Sequence, residues 1–194
     1  MRAARGARSR ASRGRAPRSR GPLLRALAGT VLAAGLAVAC GEDEAASYRP
    51  LPPLDVTYLN GQPADLAQFR GQVVVLNLWA TWCIPCRDEM PELEEMHARY
   101  PSDEFTVVGI SIDEGDVALV EGFLSEFDIT YPNFLGDGPA LTEALELYPG
   151  VPHTLLIDRE GLIRAYWGGR FHPFEPETEA LVERVLAETG RPAE

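Results

Sequence analysis

From residue 73 to 79 the chain reads Val-Val-Val-Leu-Asn-Leu-Trp, an almost unbroken apolar and β-branched run. Such a run fits a strand covered on both faces, as at the centre of a layered α/β sheet. A second run, 105–112, is broken by Gly109 and Ser111. Between the two, residues 85–100 place Met90, Leu93, Met96, His97 and Tyr100 at helical spacing. Strand, helix and strand in that order predict parallel pairing through a right-handed crossover. Residues 117–127 predict a second helix, with Val117, Val120, Phe123, Leu124 and Phe127 on one side, and 140–148 a short third one. Segments 154–158 and 163–167 flank Arg159-Glu160-Gly161, a polar connection that suits a β-hairpin. Residues 175–189 close the pattern as a helix with Leu181, Val182, Val185 and Leu186 toward the sheet, stopped by Gly190 and Pro192.

The amino-terminal part follows a different pattern. Up to residue 20 it is dominated by Arg, Ala, Ser and Gly, and a fourteen-residue apolar stretch, 26–39, then stops at Cys40-Gly41. That stretch is short for a bilayer span, which takes about 20 residues. With its basic flank it suits the apolar core of an export signal. Ala37 and Ala39 suit a signal-peptidase site, and Cys40 at the end of the run resembles the lipobox of bacterial lipoproteins, with Ala37 where Leu is usual. On this reading Cys40 is the lipidated first residue of a mature chain held at a bacterial membrane, on its extracytoplasmic (periplasmic) side. Ordinary cleavage leaving a free thiol, an uncleaved anchor and an Arg- and Ser-rich mitochondrial transit peptide are the alternatives. Residues 41–53 are acidic and then proline-rich, the composition of a flexible tether. The expected organisation is therefore a signal over 1–39, a tether over 40–53 and a folded domain over 54–194.

Composition changes this picture in two places. The formal charge of −11 hides a segregation, because residues 1–39 hold nine arginines and no acidic residue. Beyond them nine arginines face all 29 acidic residues, leaving −20 on the body of the chain. A body so acidic is repelled by nucleic acid and by anionic lipid, which makes it a poor candidate for binding either. All 18 basic residues are arginine, so no lysine base, Schiff-base lysine or phosphate-anchoring lysine is available.

The candidate chemistry lies in Trp79-Ala80-Thr81-Trp82-Cys83-Ile84-Pro85-Cys86, where the first apolar strand meets the first helix. A Cys-x-x-Cys beside a βαβ pattern reads as a redox motif. Disulfide exchange needs a thiolate, and unpaired N–H groups at a helix N-terminus stabilise one. Cys83 precedes the first turn and is the candidate nucleophile. Cys86, one turn in, is close enough to close a disulfide and release a bound partner. Pro85 preorganises the first turn without removing a needed donor. The alternatives are a structural disulfide or half a zinc site. The chain has only three cysteines and no second Cys-x-x-Cys, so a cysteine-rich zinc site is excluded, with His97, His153, His172 and carboxylates as the remaining ligand candidates. No metal, nucleotide or haem motif is visible, and no cofactor is expected.

The stretch from Asn77 to Pro91, Asn-Leu-Trp-Ala-Thr-Trp-Cys-Ile-Pro-Cys-Arg-Asp-Glu-Met-Pro, strongly resembles the TlpA/ResA group of extracytoplasmic thioredoxin-like proteins. Tyr148-Pro-Gly-Val-Pro-His-Thr-Leu-Leu-Ile-Asp-Arg-Glu-Gly161 continues the resemblance, which covers roughly residues 54–189. It implies an α/β, thioredoxin-like fold, a central mixed sheet flanked by helices with an N-terminal strand extension. Periodicity alone leaves other α/β sandwiches open. The resemblance makes Pro152 a cis-proline beside the cysteine pair, with the backbone of Val151 pairing with an extended substrate segment. Pro91 matches a kink in the active-site helix. Glu89 matches an acidic residue that tunes the cysteines' proton transfers, and its position three residues after Cys86 puts it on the same helix face. Read without the resemblance, Glu89 is a solvated helix carboxylate. Asn77 stands where thioredoxin itself carries a buried Asp, and it cannot accept a cysteine's proton. His153 replaces a small or hydroxyl residue and is expected either to raise the positive potential near Cys83 or to line the substrate groove. Trp82 is expected at the rim of the site and Trp79 in the core.

The resemblance further implies that reduced Cys83 attacks a disulfide in an exported client, apocytochrome c being one such client type. Cys86 then resolves the mixed disulfide, and a membrane electron donor of the CcdA or DsbD type restores the dithiol. Three rivals remain: an oxidant that donates disulfides, a peroxidase of the peroxiredoxin type and a metal carrier using Cys83, Cys86 and His153. The peroxidase lacks its required proline here, since a Pro-x-x-x-Thr-x-x-Cys setting is absent.

Overall fold

The structure, a computed structural model, describes residues 48–188. The candidate signal, Cys40 and most of the expected tether lie outside the described residues. Seven strands form one mixed sheet: β1 (Val56–Tyr58), β2 (Pro63–Ala64), β3 (Val73–Trp79), β4 (Phe105–Ser111), β5 (Asn133–Gly136), β6 (His153–Ile157) and β7 (Ile163–Gly168), in the order β2-β1-β5-β4-β3-β6-β7. β3, β4 and β5 run parallel, and β1, β6 and β7 pair antiparallel. All seven residues of β3 and all seven of β4 are buried, as their apolar runs predict.

Four helices cover the sheet: α1 (Ile84–Arg99), α2 (Val117–Glu126), α3 (Gly138–Ala144) and α4 (Pro176–Ala187). Leu93 and Met96 of α1, Val120 and Phe123 of α2 and Val182 and Val185 of α4 join Val73, Val75 and Trp79 in one core. On the opposite face Leu141 of α3 and the following Leu145 pack with Val74, Leu76 and Leu78. A 3-10 turn, Leu66–Phe69, adds Leu66 and Phe69 to that second face. The architecture is the expected α/β one, and β1 with β2 forms its N-terminal strand extension. β5, which sequence pattern did not reveal, pairs parallel with β4 on one side and antiparallel with β1 on the other.

The chain joins the fold earlier than Leu54. Pro50 bridges Leu162, Leu51 N–H donates to the Gly161 carbonyl (2.9 Å), and Ile163 N–H donates to the Arg49 carbonyl (2.8 Å). Residues 49–51 are therefore paired to the β6–β7 hairpin and are not part of a free tether. Proline suits an edge because it has no N–H to satisfy. Both ends of the described domain meet at Arg164. Its guanidinium lies 4.3 Å over the Tyr48 ring and pairs with Asp158 (3.3 Å) and with Glu188 just beyond α4.

Gly109 interrupts the apolar pattern of β4 for a steric reason. The Trp79 indole N–H donates to Asn133 Oδ1 at 3.0 Å, and Asn133 crosses β4 at this point. A Cβ on Gly109 would lie 2.0 Å from that oxygen. Gly109→Ala is expected to break the bond and lower stability by about 1–3 kcal/mol, the usual cost of overpacking a core, read from the urea midpoint of unfolding.

Candidate active site

β3 delivers the chain to the site at its carboxyl end. Asp113, two residues past β4, accepts from the backbone N–H (2.9 Å) and hydroxyl (2.6 Å) of Thr81 and from the Ser111 hydroxyl (2.8 Å). These bonds fix the turn that carries Trp82 and Cys83 into α1. Cys83 is the N-cap of α1, and its Sγ accepts the Cys86 N–H at 3.2 Å, with Pro85 in the first turn. Cys83 and Cys86 form a disulfide, their Cα atoms 5.3 Å apart. Cys83 keeps 4% of its surface exposed and Cys86 none. Of the two sulfurs, a thiolate arriving from outside therefore meets Cys83 first.

Glu89 lies one turn deeper than Cys86 and is fully buried, not solvated. One carboxyl oxygen accepts from Asn77 Nδ2 (2.7 Å) and the other from the Phe171 backbone N–H (2.6 Å). Asn77 Nδ2 also donates to Thr154 Oγ1 (3.0 Å), while Asn77 Oδ1 is buried and has no hydrogen-bond partner among the described residues. Burial raises the Glu89 pKa from 4.5 to about 7, against the lowering effects of the Phe171 and Asn77 hydrogen bonds and of nearby Arg170. A carboxyl poised near neutrality is suited to exchanging a proton with a cysteine one turn away. Asn77, uncharged, orients that carboxyl and takes no proton.

Pro152 is buried and follows a cis peptide bond from Val151. The preceding loop and Trp82, 65% exposed, border one groove of about 550 Å³, walled by Ile112, Pro139, Leu147, Pro149 and Gly150. Cys83, Cys86, Glu89, Trp82, Val151 and Pro152 thus lie around one end of the sheet. Trp79 is in the core, as expected. Pro91 stands inside α1, where it removes one N–H from the helical ladder.

His153 is placed differently from its expected role. It is fully buried, and its neighbour Thr154 is the residue that faces Asn77. Strand alternation turns His153 to the opposite face of the sheet from α1 and the cysteines. Its ring nitrogens contact the Tyr166 hydroxyl (2.9 Å) and the Tyr148 carbonyl (3.1 Å). Burial lowers its pKa from the usual histidine value. A neutral imidazole on the far face neither raises the potential at Cys83 nor lines the groove, and it presents no nitrogen to a metal shared with the cysteines. Among the described residues no cluster of three or more His, Cys, Asp or Glu side chains could hold a metal ion.

Asp113 and Thr154 escaped sequence reasoning. Both act through contacts with residues 32 and 77 positions away, which no local pattern encodes.

The raised pKa of Glu89 has a thermodynamic signature. Between 4.5 and about 7 the folded chain keeps a proton that the unfolded chain has released, so stability falls as pH rises through this window and levels off above it. The fall amounts to about 3 kcal/mol. Glu89→Gln is expected to remove most of it, seen as a urea midpoint that changes little between about pH 5 and about pH 8.

The model of the AhpC/TSA family matches residues 49–166. The thiol-disulfide oxidoreductase ResA of Bacillus thuringiensis subsp. konkukian is 33% identical over 112 residues, covering 58% of this chain and 64% of the relative. The chain thus spans just under two thirds of that relative's length. Among solved structures, a thiol:disulfide interchange protein of the thioredoxin family from Chlorobium tepidum TLS superposes with a TM-score of 0.60 at 26% identity, over 72% of this chain and 97% of that one. A DsbF homologue from Corynebacterium diphtheriae gives 0.61 at 28% identity, over 73% and 87%. The resemblance read from residues 77–91 and 148–161 is matched by the relatives that carry the ResA name. With the matched segment running from the first paired residue, Arg49, through the cysteines and the cis-proline to Tyr166, the chain belongs to the AhpC/TSA family.

Proposed function

We propose that this chain is a thiol–disulfide oxidoreductase of the ResA kind that reduces disulfides in exported proteins. The observation that carries the proposal is the Cys83–Cys86 disulfide capping α1, with only Cys83 reaching the surface and Glu89 buried behind the pair. In the forward cycle the Cys83 thiolate attacks one sulfur of the client disulfide, and the other client sulfur leaves and takes up a proton. Cys86, its proton passed to Glu89 or water, then attacks Cys83 Sγ and expels the second client thiol. Two electrons and two protons move to the client, and the disulfide seen in the structure is the product state. The backbone at Val151 is the edge on which an extended client segment seats.

The proposal extends to residues that the structure does not describe. Residues 1–39 act as an export signal, Cys40 carries the lipid that holds the chain at the outer side of a bacterial membrane, and a donor of the CcdA or DsbD type returns the electrons. Apocytochrome c is the client class that the resemblance carried by residues 77–91 and 148–161 implies.

The test is the reduction potential of Cys83–Cys86 in the full-length chain, equilibrated in dithiothreitol redox buffers. A value near thioredoxin's roughly −270 mV is expected, and one approaching the roughly −120 mV of a strong oxidant reverses the direction to disulfide donation. In parallel, Cys86→Ser is expected to accumulate a mixed disulfide with a client on a non-reducing gel, and Cys83→Ser to abolish it.

A further inference from the structure

The face of the sheet away from the cysteines holds an arrangement that the exchange chemistry leaves unused. His153 is clamped between Tyr148 and Tyr166, with ring centroids 4.5 and 5.8 Å away. A carbonyl only accepts, so Nε2 carries the proton donated to the Tyr148 carbonyl, and Nδ1 accepts the Tyr166 O–H. The Gly150 backbone is a further partner of the ring, and burial keeps the imidazole neutral. Gly168, paired with His153 across the hairpin, leaves the space into which both tyrosine hydroxyls converge. A Cβ there would stand 2.6 Å from Tyr166 Oη and 2.7 Å from Tyr148 Oη. On the other side of the loop, the Gly169 N–H donates to the Pro152 carbonyl at 3.0 Å.

These bonds share one object. The Tyr148 and Pro152 carbonyls fasten the loop between them to His153 of β6 and to Gly169 just past β7, Tyr166 of β7 seats the His153 ring, and Pro149 and Gly150 of that loop form a wall of the groove bordered by Trp82. An unanchored wall would be ordered only when a client arrived, and that ordering subtracts from binding. We propose that His153, seated by Tyr166, is a positioning residue that preorganises this wall for an extended polypeptide client, without touching the client or the cysteines. The proposal rests on the thiol–disulfide exchange reading and deepens it, because it separates clients with a chain to seat from disulfides without one.

The experiment compares two substrates on the full-length chain, with dithiothreitol as electron source: insulin, whose disulfides sit in a polypeptide, and hydroxyethyl disulfide, which has no chain to place in the groove. His153→Ala is expected to raise KM for insulin about tenfold, the loss of one well-made hydrogen bond, with kcat within about twofold. His153→Gln, which retains a donor for the Tyr148 carbonyl, is expected to recover most of that loss. Tyr166→Phe deletes a single hydroxyl and keeps the fold measurable, and it is expected to raise KM in the same sense by a smaller factor. In all three the hydroxyethyl disulfide rate stays level. A parallel fall on both substrates, an unchanged KM for insulin, or a Gln variant as poor as Ala overturns the proposal. Failure of the unsubstituted chain to reduce even hydroxyethyl disulfide overturns the exchange reading, and the proposal with it.

Discussion

The structure depends on the complete burial of β3. Seven consecutive buried residues need cover on both faces, so α1, α2 and α4 pack on one side and α3 with the 3-10 turn on the other. A parallel neighbour, β4, then requires a crossover, and α1 supplies it. The first turn of α1 consequently opens at the carboxyl end of the central strand, where ligands of α/β sheets gather. Cys83 inherits its place from that constraint: it caps a helix whose position is set by the burial of Val73, Val75 and Trp79 before it and of Met90, Leu93 and Met96 after it.

Inside this apolar frame one polar group is kept at a cost. A buried carboxyl is disfavoured as an anion, and among the described residues Glu89 is held by two hydrogen bonds, from Asn77 and Phe171. Asn77 spends both of its N–H groups on Glu89 and Thr154 and leaves its own oxygen unpartnered. An unmet buried acceptor costs about 1–3 kcal/mol. Such an arrangement is uneconomical as mere packing. It makes sense where a proton has to be parked close to a sulfur and released again near neutral pH.

Much of this was legible in the sequence. The two long apolar runs fixed β3 and β4, helical spacing located α1, α2 and α4 within a few residues, and Cys83-x-x-Cys86 at the strand–helix junction marked the site. What escaped was non-local. β1, β2 and β5 are two to four residues long, too short for any period to register, and they exist because longer neighbours offer edges. The prolines at 50, 52 and 53 suggested a free tether, but pairing along a hairpin edge absorbs residues 49–51. His153 was misplaced because its importance was inferred from its adjacency to Pro152. In a strand, adjacency means the opposite face, and the side chain belongs with Tyr148 and Tyr166.

The meeting of both domain ends at Arg164 has a mechanical consequence. Tyr48 and Glu188 converge beside the β6–β7 turn, which sits at the start of β3, while Cys83 follows its far end. A force applied to the chain through residue 48 is borne first by the hairpin edge and the guanidinium of Arg164. That attachment lies at the end of β3 opposite the one that Cys83 follows, so the contacts that seat residue 48 and those that position the cysteine pair are separate sets.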